Sequence, residues 1–131
     1  MTSQQFSFGK TVEMGFEDAI EAVTVALEDQ GFGVLTEIDV QATLKKKLDE
    51  DTRPYRILGA CNPSLAHRAL TAEPRIGVLL PCNVVVRQQE DQTMRVDFMD
   101  PQSVLELVDN PAVHELAAEV RERMVQACEA I

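Results

Sequence analysis

The apolar and polar residues of the chain recur with two periods, one typical of strands and one typical of helices. A period of two predicts five strands, at residues 6–12, 32–38, 55–61, 79–88 and 94–99. Apolar stripes with helical spacing predict helices at residues 16–30, 40–48, 63–73, 102–108 and 111–128. The last two strands are separated by a short polar turn, so we expect them to form an antiparallel hairpin.

Local signals mark the ends of these helices. Gly31 should end the first helix in a left-handed conformation, and Asp39 should cap the second. Asn62 followed by Pro63 is a standard helix start, because the Asn side chain accepts from free backbone N–H groups and Pro loses no needed donor. Residues 110–111 repeat this Asn-Pro signal.

The order of the elements predicts an α+β fold. The chain of 131 residues contains no repeat, low-complexity segment or linker, so residues 1–131 should form a single domain. About five strands should form a mainly antiparallel sheet with helices packed on one face. Such a sheet leaves its second face uncovered, and we therefore expect a homodimer that pairs those faces.

Composition excludes several classes of partner. The chain has 12 basic and 22 acidic side chains, a net charge of −10, which disfavours binding to nucleic acid or to anionic membranes. No apolar run approaches the roughly 20 residues that span a bilayer. Residues 1–5 lack the basic flank and apolar core of a signal peptide, so we expect a cytoplasmic protein. Three cysteines without a CxxC spacing also disfavour a disulfide scaffold.

Two Cys-Asn dipeptides are the residues of this sequence most suited to binding or catalysis. Cys61–Asn62 and Cys82–Asn83 each lie at the junction of a predicted strand, and the four side chains should meet if those strands are neighbours. Next to the free N–H groups of a helix start, Cys61 would have a stabilised thiolate and a lowered pKa. The simpler interpretation is that each cysteine is a small buried apolar residue. Pro81 requires irregular backbone beside Cys82, and such irregularities often border pockets.

The remaining candidates are charged or imidazole side chains. Glu37 should lie on the strand face opposite residues 32, 34 and 38, with Lys46 or Arg56 as its partner. That pair could be a structural ion pair at the dimer interface or a catalytic acid–base pair. His67 and His114 have no partner at a spacing suited to zinc, so no metal site is predicted. The sequence also lacks the common phosphate-binding and nucleophile-elbow motifs.

Several segments together resemble a known family. Residues 31–40, 44–47, 54–63 and 79–84, including the Cys-Asn-Pro and Leu-Pro-Cys-Asn-Val signals, resemble the bacterial and archaeal family called domain of unknown function 302. The likeness covers about residues 11–131. It implies a compact α+β domain related to the TATA-binding-protein-like fold, often dimeric, and it implies no established reaction or ligand. DNA binding does not follow, because one fold hosts unrelated functions.

Three functions remain open from the sequence. We expect a homodimeric binding module for a small ligand, with site residues Cys61, Asn62, Cys82, Asn83, Glu37 and Lys46. The ligand would be a soft metal, haem or a sulfur compound, because thiols prefer soft partners, and the sequence identifies no particular cofactor. The second candidate is a thiol enzyme in which Cys61 is the nucleophile and Cys82 resolves a sulfenate or persulfide. The third is a structural dimer with inert core cysteines.

Overall fold

The computed structural model describes residues 5–131, so residues 1–4, most of the segment expected to lack a signal peptide, lie outside the described residues. The strands are β1 (Ser7–Val12), β2 (Gly33–Asp39), β3 (Tyr55–Cys61), β4 (Cys82–Gln88) and β5 (Met94–Met99). The α-helices are α1 (Phe16–Asp29), α2 (Val40–Leu48), α3 (Pro63–Ala72), α4 (Pro101–Leu105) and α5 (Pro111–Glu129). A 3₁₀ helix covers Pro74–Leu79.

The five strands form one antiparallel sheet in the order β1-β5-β4-β3-β2. This arrangement confirms the predicted α+β class. The predicted β4–β5 hairpin is also present, with Val86 paired to Val96. Helices α1 and α5 contact each other, and side chains of both join the buried core above one face of the sheet. None of the helices in residues 5–131 is long and apolar enough to cross a membrane.

The predicted helix boundaries depend on short-range hydrogen bonds, and the structure contains them. Gly31 has a φ of 85°, and the Phe32 N–H donates to the Leu27 carbonyl across the end of α1. The Asn62 side chain accepts from the Leu65 N–H at the start of α3. The side chains of Asp39 and Asn110 cap α2 and α5 in the same way. These predictions are confirmed.

Two sequence predictions near the centre of the chain are wrong. Strand β4 begins at Cys82 and not at residue 79, because Glu73 caps a 3₁₀ helix that starts at Pro74 and continues through Leu79. Pro81, which has no N–H to donate to a sheet, lies between the two elements, and its peptide bond with Leu80 is cis. The fourth helix is also shorter than predicted and ends at Leu105.

The face assignment in β2 is wrong as well. Val34 pairs with Ala60 and Thr36 pairs with Gly59, so Leu35 is an extra residue in a β-bulge. Because a bulge reverses the alternation beyond it, Val34 and Glu37 lie on the side of the sheet that α1 covers, and not on opposite sides. A period-two pattern in one strand does not reveal this shift.

The buried side chains form two clusters. The first contains residues of α1, the sheet and the end of α5, among them Val23, Val84 and Met124. The second contains residues of α3, the 3₁₀ helix, α4 and the first half of α5, among them Leu65 and Ile76. Leu80 and Val120 are partly buried and pack against both clusters. The boundary between the clusters is where the candidate site lies.

Candidate functional site

A cavity of about 360 Å³ lies where the two clusters meet. We call it the apolar cavity. Its walls come from the adjacent ends of β2, β3 and β4, from α3, from the 3₁₀ helix and the residues after it, and from Leu105, Leu116 and Val120. Its lining is almost entirely apolar and, within the described part of the chain, includes no charged side chain. Its size falls within the ordinary range of small-molecule sites.

Three of the four Cys-Asn side chains line the apolar cavity. Strands β3 and β4 are neighbours, with Ala60 paired to Cys82, so the end of one strand lies beside the start of the other. Cys61, Asn62 and Cys82 therefore reach the same space. Asn83 does not, because alternation along β4 places it on the other face of the sheet, where it is exposed.

Both thiols in the cavity are uncharged. Burial raises the pKa of Cys61, which is the opposite of the lowered pKa that its place before a helix suggested. Burial, together with the electrostatic effect of Cys61, raises the pKa of Cys82 to about 12. The lowered pKa predicted for Cys61 from its place before α3 is therefore wrong. Neither thiol forms a disulfide, and Cys128, on the apolar side of α5, is a free, buried core residue.

Asn62 both lines the cavity and caps the start of α3. Asn62 is 7% exposed, and its Oδ1 accepts from the Leu65 N–H at 3.2 Å. A Cβ atom at Gly31 would lie 3.0 Å from the Asn62 Nδ2, a tight contact, and the positive φ of Gly31 favours glycine there in any case. The caps of α1 and α3 therefore lie against each other at one end of the cavity.

Another glycine allows two cavity residues to pack over the sheet. A Cβ atom at Gly59 would clash with the Thr36 hydroxyl and would lie 2.9 Å from Pro81 Cγ. Thr36 and Pro81 both line the cavity beside Cys61. The bare backbone of Gly59 is therefore what lets this wall close, which is a tertiary reason for a glycine inside a strand.

Glu37 and Lys46 lie away from the cavity. Glu37 pairs with Arg56, with 3.3 Å between Oε1 and Nη1, so Arg56 and not Lys46 is its partner. Arg56 also contacts Glu17 at 3.3 Å and Asp39 at 3.5 Å. Although burial lowers the pKa of Arg56, its carboxylate neighbours raise it above the ordinary value. Lys46 is exposed and makes no ion pair within residues 5–131.

The described residues contain no cluster of three or more His, Cys, Asp or Glu side chains arranged to hold a metal ion. The two histidines lie outside the cavity lining. His114 contacts the Val108 carbonyl at 2.6 Å through Nε2, and His67 is exposed on α3. The chemistry available in the cavity is therefore apolar contact and weak hydrogen bonding from two thiols and one amide.

Sequence reasoning identified one wall of this site and missed the others. The apolar stripes of α3 and α5 were visible in the sequence as core positions, but nothing local shows that they leave a gap between them. Leu35 gave no signal, because the bulge that places it at the cavity depends on its pairing with β3.

Comparison with known proteins agrees with this architecture. The family described as "Domain of unknown function DUF302" matches residues 8–131. The chain belongs to the DUF302 family. One solved relative of this DUF302 domain is the uncharacterized conserved protein DUF302 from Bacillus stearothermophilus, with 30% identity and a TM-score of 0.90. The match covers 97% of this chain and 98% of the relative. No curated protein matches the chain.

Proposed function

We propose that this DUF302 domain is a binding module for a small, uncharged, apolar molecule held in the apolar cavity. The observation that carries the proposal is the lining, which combines aliphatic side chains with two neutral thiols and no charge among the described residues. An engineered apolar cavity of about 150 Å³ binds benzene, so a cavity of about 360 Å³, more than twice that volume, has room for roughly two to three rings or an equivalent aliphatic chain.

The thiols favour an uncharged ligand over a metal. A thiol binds zinc, soft metal or haem iron as the thiolate, and burial opposes the loss of a proton at both Cys61 and Cys82. No third ligand accompanies them within residues 5–131. An uncharged sulfur compound remains compatible with the cavity, because cysteine sulfur is polarizable and makes good contacts with soft or aromatic groups.

The same physical argument weighs against a thiol enzyme. Nucleophilic attack or resolution of a sulfenate requires the thiolate, and a raised pKa reduces the thiolate fraction at neutral pH. Catalytic cysteines generally lie near a cation or a base, and the cavity lining of the described chain contains neither. Binding is therefore the better supported function.

A cavity-filling variant tests the proposal. Ala66 lines the cavity on α3, and Ala66→Phe should occupy much of the space. The neutral fluorophore N-phenyl-1-naphthylamine should bind the wild-type chain with a Kd of about 0.2 mM or tighter, at roughly 0.3 kcal/mol per non-hydrogen atom. Ala66→Phe should weaken that binding at least about tenfold, because the probe and the new ring cannot share the cavity.

The matched control is Ala118→Phe, which adds the same ring at an exposed position of α5 outside the cavity lining. Circular dichroism should show that both variants fold. A wild-type chain that does not bind the probe, or an Ala66→Phe variant that binds it as tightly as Ala118→Phe, would refute the proposal.

The proposal includes a cellular location and an oligomeric state. Three free cysteines favour the cytoplasm, where thiols stay reduced.

We infer a homodimer that pairs the sheet faces not covered by α1 and α5. On that face Ile57 and Val85 are partly buried in the single chain. Its paired charged residues are Arg87, Arg95 and Asp97, a net of +1, so two such faces repel less than other surfaces of a chain with a net charge of −10.

A further inference from the structure

Leu35 is unusual because it is exposed and also lines the apolar cavity. It is the extra residue of the β2 bulge, between Val34, which pairs with Ala60, and Thr36, which pairs with Gly59. Leu35 is 67% exposed. Bulges redirect side chains and recur beside functional sites, and here the bulge places a leucine at the opening of the cavity.

Leu70 has the same two properties on a different element. It lies on α3, it lines the cavity, and it is 42% exposed. Among the large apolar side chains that are exposed in residues 5–131, Leu35 and Leu70 are those that line the cavity. A single exposed leucine needs no explanation. Two that continue the lining of an apolar cavity to the surface form a connected apolar path.

We propose that Leu35 and Leu70 form a rim that binds the part of the ligand extending out of the cavity, and that they select elongated uncharged molecules over compact ones. This inference rests on the proposed function and adds the shape of the ligand. A molecule longer than the enclosed space covers the rim when bound and removes both leucines from water. Because no charged side chain of the described chain lines the path, the bound length of the ligand is uncharged throughout.

The test compares a short and a long ligand. 1-Hexanol and 1-decanol displace N-phenyl-1-naphthylamine, and the ratio of their apparent Kd values is measured for each variant. Leu35→Ser should weaken 1-decanol by about three- to tenfold and 1-hexanol by less than about twofold, because the longer chain reaches the rim. Leu70→Ser should show the same pattern.

Leu48→Ser is the matched control. Leu48 is 65% exposed, almost the same as Leu35, but it lies on α2 outside the cavity lining. Its substitution should leave the 1-decanol to 1-hexanol ratio unchanged. If Leu35→Ser fails to fold, Leu70→Ser decides the outcome.

The two proposals fail in different ways. If the wild-type chain and Leu48→Ser bind the probe but both rim variants keep the wild-type ratio, the rim is refuted and the binding function stands. An equal weakening of both alcohols refutes the rim as well, since it indicates a general loss of the site. If the wild-type chain does not bind the probe, the binding function is refuted, and the rim with it.

Discussion

At Cys61 and Cys82, burial decides the chemistry of the thiol more than the position of the residue along the chain does. A cysteine beside free helix N–H groups is expected to be acidic, but the surroundings of Cys61 are mainly apolar and burial raises its pKa. Cys82 is 6% exposed, so its thiolate is still less favoured. The position of each cysteine along the chain was readable from the sequence. The protonation state of each thiol depends on the residues that bury it, and the sequence does not show which residues those are.

The rate of alkylation measures the protonation state of each thiol. Iodoacetamide reacts with the thiolate, and a raised pKa lowers the thiolate fraction at every pH below it, so Cys61 should react more slowly than free cysteine at pH 8. Its rate should keep rising with pH beyond the ordinary value of 9.0. Cys82 should react only when the protein unfolds. Mass spectrometry of tryptic peptides follows each site, with Cys61→Ser as the control for its assignment.

The raised pKa of Cys82 makes the free energy of unfolding depend on pH. The folded state raises the pKa of Cys82 from 9.0 to about 12, so its contribution to the free energy of unfolding is complete below about 9 and is lost as pH rises towards 12. Rapid alkylation of Cys61 below pH 7 would contradict the raised pKa of Cys61 and would support the thiol enzyme.

At the scale of elements, Arg56 holds three of them together. It extends from β3 to Glu17 at the start of α1 and to Glu37 and Asp39 in β2, and its guanidinium lies 5.2 Å from the Phe16 ring centre. The side chain is 19% exposed, while its acidic partners are more exposed. The sequence suggested Arg56 as one of two partners for Glu37, and the bulge in β2 decided the geometry.

Replacing Arg56 should destabilise this junction. Arg56→Met removes the positive charge and leaves three carboxylates close together, so the free energy of unfolding should fall by about 1–3 kcal/mol. Arg53→Met, at an exposed residue just before β3, should change it by less than about 0.5 kcal/mol. Urea denaturation followed by circular dichroism gives both values. Equal effects of the two substitutions would show that the ion pairs contribute no stability.

At the scale of the whole molecule, a sheet covered by α1 and α5 on one face leaves the other available for a second copy. The centre of that face contains Val85, which lies between Ile57 on β3 and Asp97 on β5. The charges around it are already paired within the chain. A self-complementary contact of this kind is the commonest basis of a soluble homodimer.

A single charge at the centre of the face should separate the copies. Val85→Arg places like charges opposite each other across the proposed two-fold axis, so the sedimentation coefficient at micromolar concentration should fall from that of a dimer to that of a monomer. Leu107→Arg, at a residue 80% exposed after α4, should remain a dimer. A wild-type chain that sediments as a monomer at that concentration rules out this assembly.

The sequence by itself determined the strands and the main helices of this protein, and most of the residues where they begin and end. Apolar spacing and caps such as Asn62 act over about four residues, so the five strands, the main helices and the antiparallel α+β arrangement followed from local pattern. Only the tertiary structure decided the bulge at Leu35, the 3₁₀ helix before β4, and the cavity between the two clusters. The cavity joins residues as distant in sequence as Phe32, Cys82 and Val120, and a space between side chains has no signature in the spacing of any one of them.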